Sequence, residues 1–402
     1  MPVTPASAPP ARIHWTEGEV EHSALWRSES GMPAPKRVVI ANDQTPADTA
    51  YRLACEGTAL LWRGDFQNAR QLLQALARRA DKKDVKTKKG SKGRRAAAAD
   101  LPAVPLPAPT PAQAFHLHRQ AQSQRARTLA MLLIPFDADY TIPLRRAPGV
   151  AQACNEAYGH PTLPFVASLR ELLGLIGAHE WRKNGVDIPA LGAKIHPHYG
   201  VFSPIRGEYL DLVAAAPLPP GANLAFDIGT GTGVLAALLA RRGLRKVVAT
   251  DIDPRALSCA RENLQRLELL ECVEVVQADL FPDGQAPLIV CNPPWLPGRP
   301  SSSIESAIYD PDSRMLKGYL GGVAGHLAPG GEAWLVLSDL AEHLGLRSRA
   351  ELLAMIEAGG LAVVARDDIR PTHPRASDAS DPLHAARALE VTSLWRLAAR
   401  QM

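Results

Sequence analysis

From Asn223 to the C-terminus, short runs of apolar and β-branched residues alternate with helical stretches. The runs cover 224–227, 246–251, 273–278, 288–291, 332–338 and 391–397. A strand, a helix and a second strand in succession require a crossover, and crossovers of one hand build parallel sheets. The second half of the chain is therefore expected to be α/β: a doubly wound, Rossmann-like sheet covered by helices. Ligands of such sheets bind outside the carboxyl ends of the strands. The loops just past each strand are where chemistry should be sought.

The first half has a different texture. Residues 1–35 are rich in Pro, Ala and Ser and read as a disordered lead-in. Residues 36–190 read as an α-rich N-terminal domain. Its helical spacing runs through Tyr51, Ala54, Ala59, Leu60 and Leu61, then Ala69, Leu72, Leu73 and Leu76, with a break at Gly64 and Asp65. A further helix is expected over 111–133, and a buried one over 169–176. Between them, 78–111 reads as a linker, first basic and then Pro/Ala-rich. The α/β domain then occupies 191–402.

Hydrophobic residues at 46% and charged residues at 21% give an ordinary globular balance. The five cysteines are scattered, with no C-x-x-C pair, which argues against a disulfide framework or a zinc site. Such usage fits a reducing cytoplasm. Neither a signal peptide nor an apolar run of the ~20 residues that cross a bilayer is seen, so a cytoplasmic protein without a membrane partner is expected. His196 and His198 flank Pro197 without a carboxylate or cysteine at ligand spacing, so no metal is expected. The chain carries a net charge of +4, yet 78–95 alone holds ten Lys/Arg against two Asp. The basicity is one patch.

Four loops follow the predicted strands. The first, Asp227-Ile228-Gly229-Thr230-Gly231-Thr232-Gly233, places glycine at alternate positions, so the backbone can turn sharply and approach a ligand. Val234 stands where a dinucleotide fingerprint needs glycine, and no Gly-Lys-Ser/Thr phosphate loop is present. The second loop offers Asp251, 22 positions beyond Gly229, where a carboxylate can accept ribose hydroxyls. Asp253 reads instead as a helix cap, followed by Pro254 at the first helical position. The third loop holds Asp279, Leu280 and Phe281. In the fourth, an apolar strand runs straight into Asn292-Pro293-Pro294-Trp295. Two prolines remove two backbone donors and leave carbonyls free beside an amide and a flat ring. That is a receptor for an NH2 group on a planar system.

The ordered set resembles the class I S-adenosyl-L-methionine (SAM) dependent methyltransferases, in the subgroup carrying Asn/Asp-Pro-Pro-Tyr/Phe/Trp. The resemblance covers about 195–400 and implies a seven-stranded methyltransferase sheet with SAM as cofactor. It implies that Asp227, Gly229, Gly231 and Gly233 hold the methionine part and the ribose edge, that Asp251 takes the ribose hydroxyls, and that Asp279 and Leu280 face adenine. Asn292, Pro293, Pro294 and Trp295 would hold the target nitrogen. The segment 198–208, with Phe202, Pro204, Arg206 and Glu208, is similar to the family's element that closes over SAM and the substrate entrance.

The substrate stays open at this level. An exocyclic amine of a nucleic-acid base, RNA in preference to DNA, suits the motif and the basic run. A protein glutamine amide of the release-factor type has the same NH2 geometry. A small-molecule amine and a non-catalytic SAM-binding protein complete the alternatives.

Overall fold

The computed structural model describes residues 11–93, 109–160, 163–204, 207–300, 304–372, 378–379 and 381–400, with backbone alone over 82–93 and at 304. The chain divides into two compact units, one of Met1–Ala108 with Arg119–His179, the other of Pro109–His118 with Glu180–Met402. The second therefore starts before 191 and recruits a stretch from the first half. Phe115 explains the recruitment, since it is buried in an apolar cluster with Leu296, Leu340, Leu344 and Leu383.

The first unit is rich in helices but is built on a six-stranded sheet that the helical reading did not contain. Arg12–Glu17 and Val20–Trp26 pair antiparallel, where a disordered lead-in was expected. Ile13 and Trp15 are buried and their neighbours exposed, the period-2 pattern of a half-covered strand. Ala59, Leu60 and Leu61 lie in the strand Thr58–Trp62, buried along its whole length. A short, mostly apolar run covered on both faces has no period to distinguish it from a helix. Leu132–Phe136 is likewise a strand, so the helix starting at Pro111 ends at Leu129. The basic run is also not a loop as far as Gly93, because the helix Phe66–Gly93 continues through it. Lys, Arg and Ala are good helix formers, and no proline interrupts them there.

The second unit is a seven-stranded sheet. Its strands are β1 (Leu224–Ile228), β2 (Lys246–Asp251), β3 (Val273–Gln277), β4 (Ala286–Cys291), β5 (Leu327–Ser338), β6 (Leu361–Ile369) and β7 (Thr392–Ala399). Their order is β3-β2-β1-β4-β5-β7-β6. β1 to β5 are parallel, and β7 enters antiparallel between β5 and β6. The principal helices are α1 (Glu208–Ala215), α2 (Val234–Arg241), α3 (Pro254–Arg266), α4 (Arg314–His326) and α5 (Arg349–Ala358).

Strand residues alternate between two cores. Ala225, Leu288, Val290, Trp334, Val336 and Leu394 face α1, α2 and α3. Phe226, Ile289, Cys291, Leu335, Leu337 and Trp395 face α4 and α5. Both faces are covered, which is why β4 reads as an uninterrupted apolar run. The Tyr319 hydroxyl of α4 reaches the carbonyls of Ile289 at 3.0 Å and Trp334 at 3.2 Å, tying the helix to β4 and β5. No helix among the described residues is long and apolar enough to cross a membrane. Tyr319→Phe should lower stability by about 1 kcal/mol through loss of that buried bond. Urea unfolding of the full chain reads this as a lower midpoint at unchanged slope, and an unchanged midpoint would show that the bond contributes nothing.

Candidate active site

The first loop leaves β1 with Asp227 wholly buried. Its Oδ2 accepts from the Thr230 hydroxyl at 2.6 Å and from the Ala236 N–H of α2 at 3.1 Å. Its Oδ1 is buried without a hydrogen-bond partner. Removal from water penalises the charged form, and the carboxyl is pushed up to about 6. Gly229, Gly231 and Gly233 all hold positive φ, at 72°, 55° and 81°. A Cβ on Gly229 would collide with the Met315 methyl group, and one on Gly233 would sit 3.2 Å from the Ala260 backbone, whereas Gly231 faces open space. The three glycines thus have three different reasons to be glycine.

Backbone bonds stitch this loop to the next two. Thr230 N–H donates to the Thr250 carbonyl at 2.8 Å, and Ala278 N–H to the Asp251 carbonyl at 3.2 Å. Asp251 accepts from Gly231 N–H and Asp253 N–H, both at 3.0 Å, and burial raises its carboxyl above the usual range. The backbone of Ile252 adds to these contacts. Asp253 caps α3 through Arg255 N–H, with Pro254 as the first helical residue. The Thr250 hydroxyl donates to the Leu280 carbonyl at 2.6 Å, and Leu280 is held at φ 79°, an unusual conformation for a branched residue. The Asp279 carboxylate lies on Arg314 at 2.7 Å, both groups more than half exposed.

The fourth loop leaves β4, which pairs with β1 so that Cys291 stands opposite Ile228. Asn292 and Gly229 are therefore the next residues of adjacent parallel strands, and both loops open at one sheet end. Pro293 is buried, while Asn292, Pro294 and Trp295 are half-buried. Trp295 packs against both cores, and its indole N–H donates to Asn292 Oδ1 at 2.9 Å. Tyr209 of α1 is almost fully buried, and burial raises its hydroxyl far above the usual range, while the neighbouring Asn292 side chain acts in the opposite direction. Beyond Trp295, Leu296–Pro297 pairs parallel with Tyr309–Asp310. The Asp310 carboxylate accepts Met315 N–H and Leu316 N–H at 3.0 and 3.1 Å, and so caps α4. Between cap and helix, Asp312 and Ser313 are left-handed, at φ 56° and 53°.

The segment before β1 is anchored rather than loose. His196 N–H donates to Asn263 Oδ1 at 2.7 Å, and His198 Nε2 meets Glu262 at 2.9 Å. No His/Cys/Asp/Glu group suited to a metal occurs among the described residues. Phe202 is half-buried and Pro204 buried, and Arg206 lies outside the described residues. Glu208 accepts Thr372 N–H at 2.9 Å. A cavity of about 370 Å³ is lined by Pro204, Glu208, Asp187, Asp211 and Thr372 among others.

Tyr209, Thr230, Asp310 and Met315 join the site without having been singled out from the sequence. Only Thr230 carried a signal, as a hydroxyl inside the glycine loop. The others depend on packing between elements far apart in the chain.

An unpartnered buried carboxylate oxygen beside an open glycine suits a cationic amine such as that of SAM's methionine part. The Asp251 carboxylate suits hydroxyl donors. These residues fit the cofactor. A parallel sheet of this order, with its glycine loop and Asn-Pro-Pro-Trp loop at one end, is the architecture of a class I SAM-dependent methyltransferase domain. Residues 193–355 match the model of the methyltransferase small domain. The tRNA1(Val) (adenine(37)-N6)-methyltransferase of Bacteroides fragilis is 32% identical over 165 residues, 37% of this chain and 69% of that protein. The chain belongs to the methyltransferase small domain family. The ribosomal protein L11 methyltransferase of Pelotomaculum thermopropionicum is 37% identical over 152 residues, 37% of this chain. The release factor glutamine methyltransferase of Cereibacter sphaeroides is 31% identical over 173 residues, 40% of this chain. This chain spans 41% and 59% of the lengths of those two proteins.

Asp227 generates a prediction with a defined sign. Its folded carboxyl is raised from 3.8 to about 6, so the ionised form destabilises the fold above pH 6 and the cost disappears as pH falls through 6 towards 4. Asp227→Asn should stabilise the free protein at pH 8 by up to about 3 kcal/mol, while weakening SAM at least tenfold. Denaturation and calorimetry at pH 8 check the pair, and the affinity of the unaltered protein should fall below pH 6. A variant no more stable, or binding SAM as tightly, would remove this role.

Proposed function

We propose that the protein transfers a methyl group from SAM to a planar nitrogen, an exocyclic amine of a nucleic-acid base, with RNA preferred to DNA. The register of Ile228 against Cys291 carries this reading, since it sets the glycine loop beside Asn292-Pro293-Pro294-Trp295. SAM, when bound, supplies an electrophilic methyl group on a sulfonium.

The chain's own residues do the orienting. Asn292 Oδ1 and the Pro293 carbonyl accept the two N–H bonds of the target amine and draw its lone pair out of conjugation. Trp295 lines the site with a π face, which favours the positive charge that develops on the nitrogen. No strong base is needed, because the nitrogen becomes acidic on methylation. Orientation supplies much of the acceleration, for which effective molarities of up to ~10⁵–10⁸ M set the scale. A base within a duplex must be flipped out to reach the loop.

The basic run supports a nucleic-acid partner, as does the tRNA methyltransferase among the relatives. Its phosphate contacts would weaken steeply with salt. A glutamine amide is the second reading, supported by the release factor relative. Tritiated-methyl transfer from SAM into separated RNA, DNA, protein and metabolite fractions of a strain lacking the protein distinguishes these readings. Label is expected in RNA, and label confined to protein would replace the first reading with the second. Asn292→Ala should lower turnover by about 10² or more, the scale seen when an orienting polar group is lost, with SAM affinity unchanged. Retained turnover would end the role given to the loop.

A further inference from the structure

The Trp295 indole does more than present a flat ring. A side-chain amide has an acceptor end and a donor end that nearly superimpose on rotation by half a turn, so its orientation must be set by neighbours. An indole N–H is a donor only. At 2.9 Å from the Asn292 amide it is satisfied by Oδ1 and opposed by the NH2 end. Tyr209 of α1, almost fully buried, lies beside the same amide. A phenylalanine or tyrosine ring at 295 would keep the π face and lose the N–H.

We propose that the Trp295 indole N–H, assisted by the Tyr209 hydroxyl, locks the Asn292 amide in the orientation that turns Oδ1, not the NH2 group, towards the methyl acceptor. Oδ1 has two lone pairs. One is held by Trp295 and one remains, which together with the Pro293 carbonyl makes a two-acceptor receptor for one NH2 group. With the amide reversed, an N–H would face an N–H, and the acceptor would be repelled. Trp295 and Tyr209 are positioning residues in this step. The proposal rests on the methyl-transfer reading for its kinetics, but the lock itself exists in the free protein.

Carboxylates test it, because a carboxylate has two equivalent oxygens and no orientation to lock. Trp295→Phe in the full chain should lower kcat about tenfold, the effect of one well-placed neutral hydrogen bond, with SAM affinity unchanged. In an Asn292→Asp background the same substitution should cost less than about twofold, a coupling that a packing role would not produce. Tyr209→Phe should follow the same pattern more weakly. Equal costs of Trp295→Phe in both backgrounds would overturn the lock. Independently of any activity, the indole N–H resonance of Trp295, assigned by its loss in Trp295→Phe, should exchange slowly with solvent and lose that protection in Asn292→Ala. Exchange that Asn292→Ala leaves unchanged would overturn the lock, including where Asn292→Asp is inactive. Absence of methyl transfer by the unaltered protein to every fraction, with the exchange result intact, would instead remove the proposed function and leave the lock standing.

Discussion

The parallel pairing of β1 with β4 is the constraint on which the site depends. It sets Ile228 against Cys291, so that two loops separated by more than sixty residues leave the sheet side by side. A slip of one residue would invert every strand side chain between the two cores. It is resisted by close packing, since side chains shaped to one core would have to fit the other, so the packing that stabilises the sheet also fixes where the two loops meet.

The loops themselves are joined mainly through backbone and short polar side chains. Thr230 to Thr250, Gly231 to Asp251 and Thr250 to Leu280 form a chain of bonds across three strand ends. Asp227 sits beneath them as a buried carboxylate with one oxygen unanswered. Such a group costs folding energy and persists where a ligand completes it. At this residue the fold carries a cost that a neutral side chain would not impose.

Much of this was legible in the chain. Glycines at alternate positions, an acid at the end of the second strand and a double proline after the fourth are local patterns, each fixed by backbone geometry near its own residues. Strand β6 escaped because it is a sheet edge: Val363, Val364, Asp367 and Asp368 face solvent, and its polarity resembles a loop. The six-stranded sheet of the first unit escaped for the opposite reason, its inner strands being short and wholly buried. Tyr209 was invisible because one tyrosine on a short helix has no spacing to betray it. Its neighbour, Asn292, lies across the fold.

Met315 shows what such unforeseen packing implies. Its methyl group fills the space that a side chain on Gly229 would need, and its helix is capped by the strand that pairs with the residues after Trp295. A thioether is unbranched and polarisable, able to change shape without moving its backbone. The ceiling over the glycine turn is therefore compliant where the floor, Ala260 against Gly233, is stiff. Any adjustment above the turn falls on one side chain while the sheet beneath stays as it was.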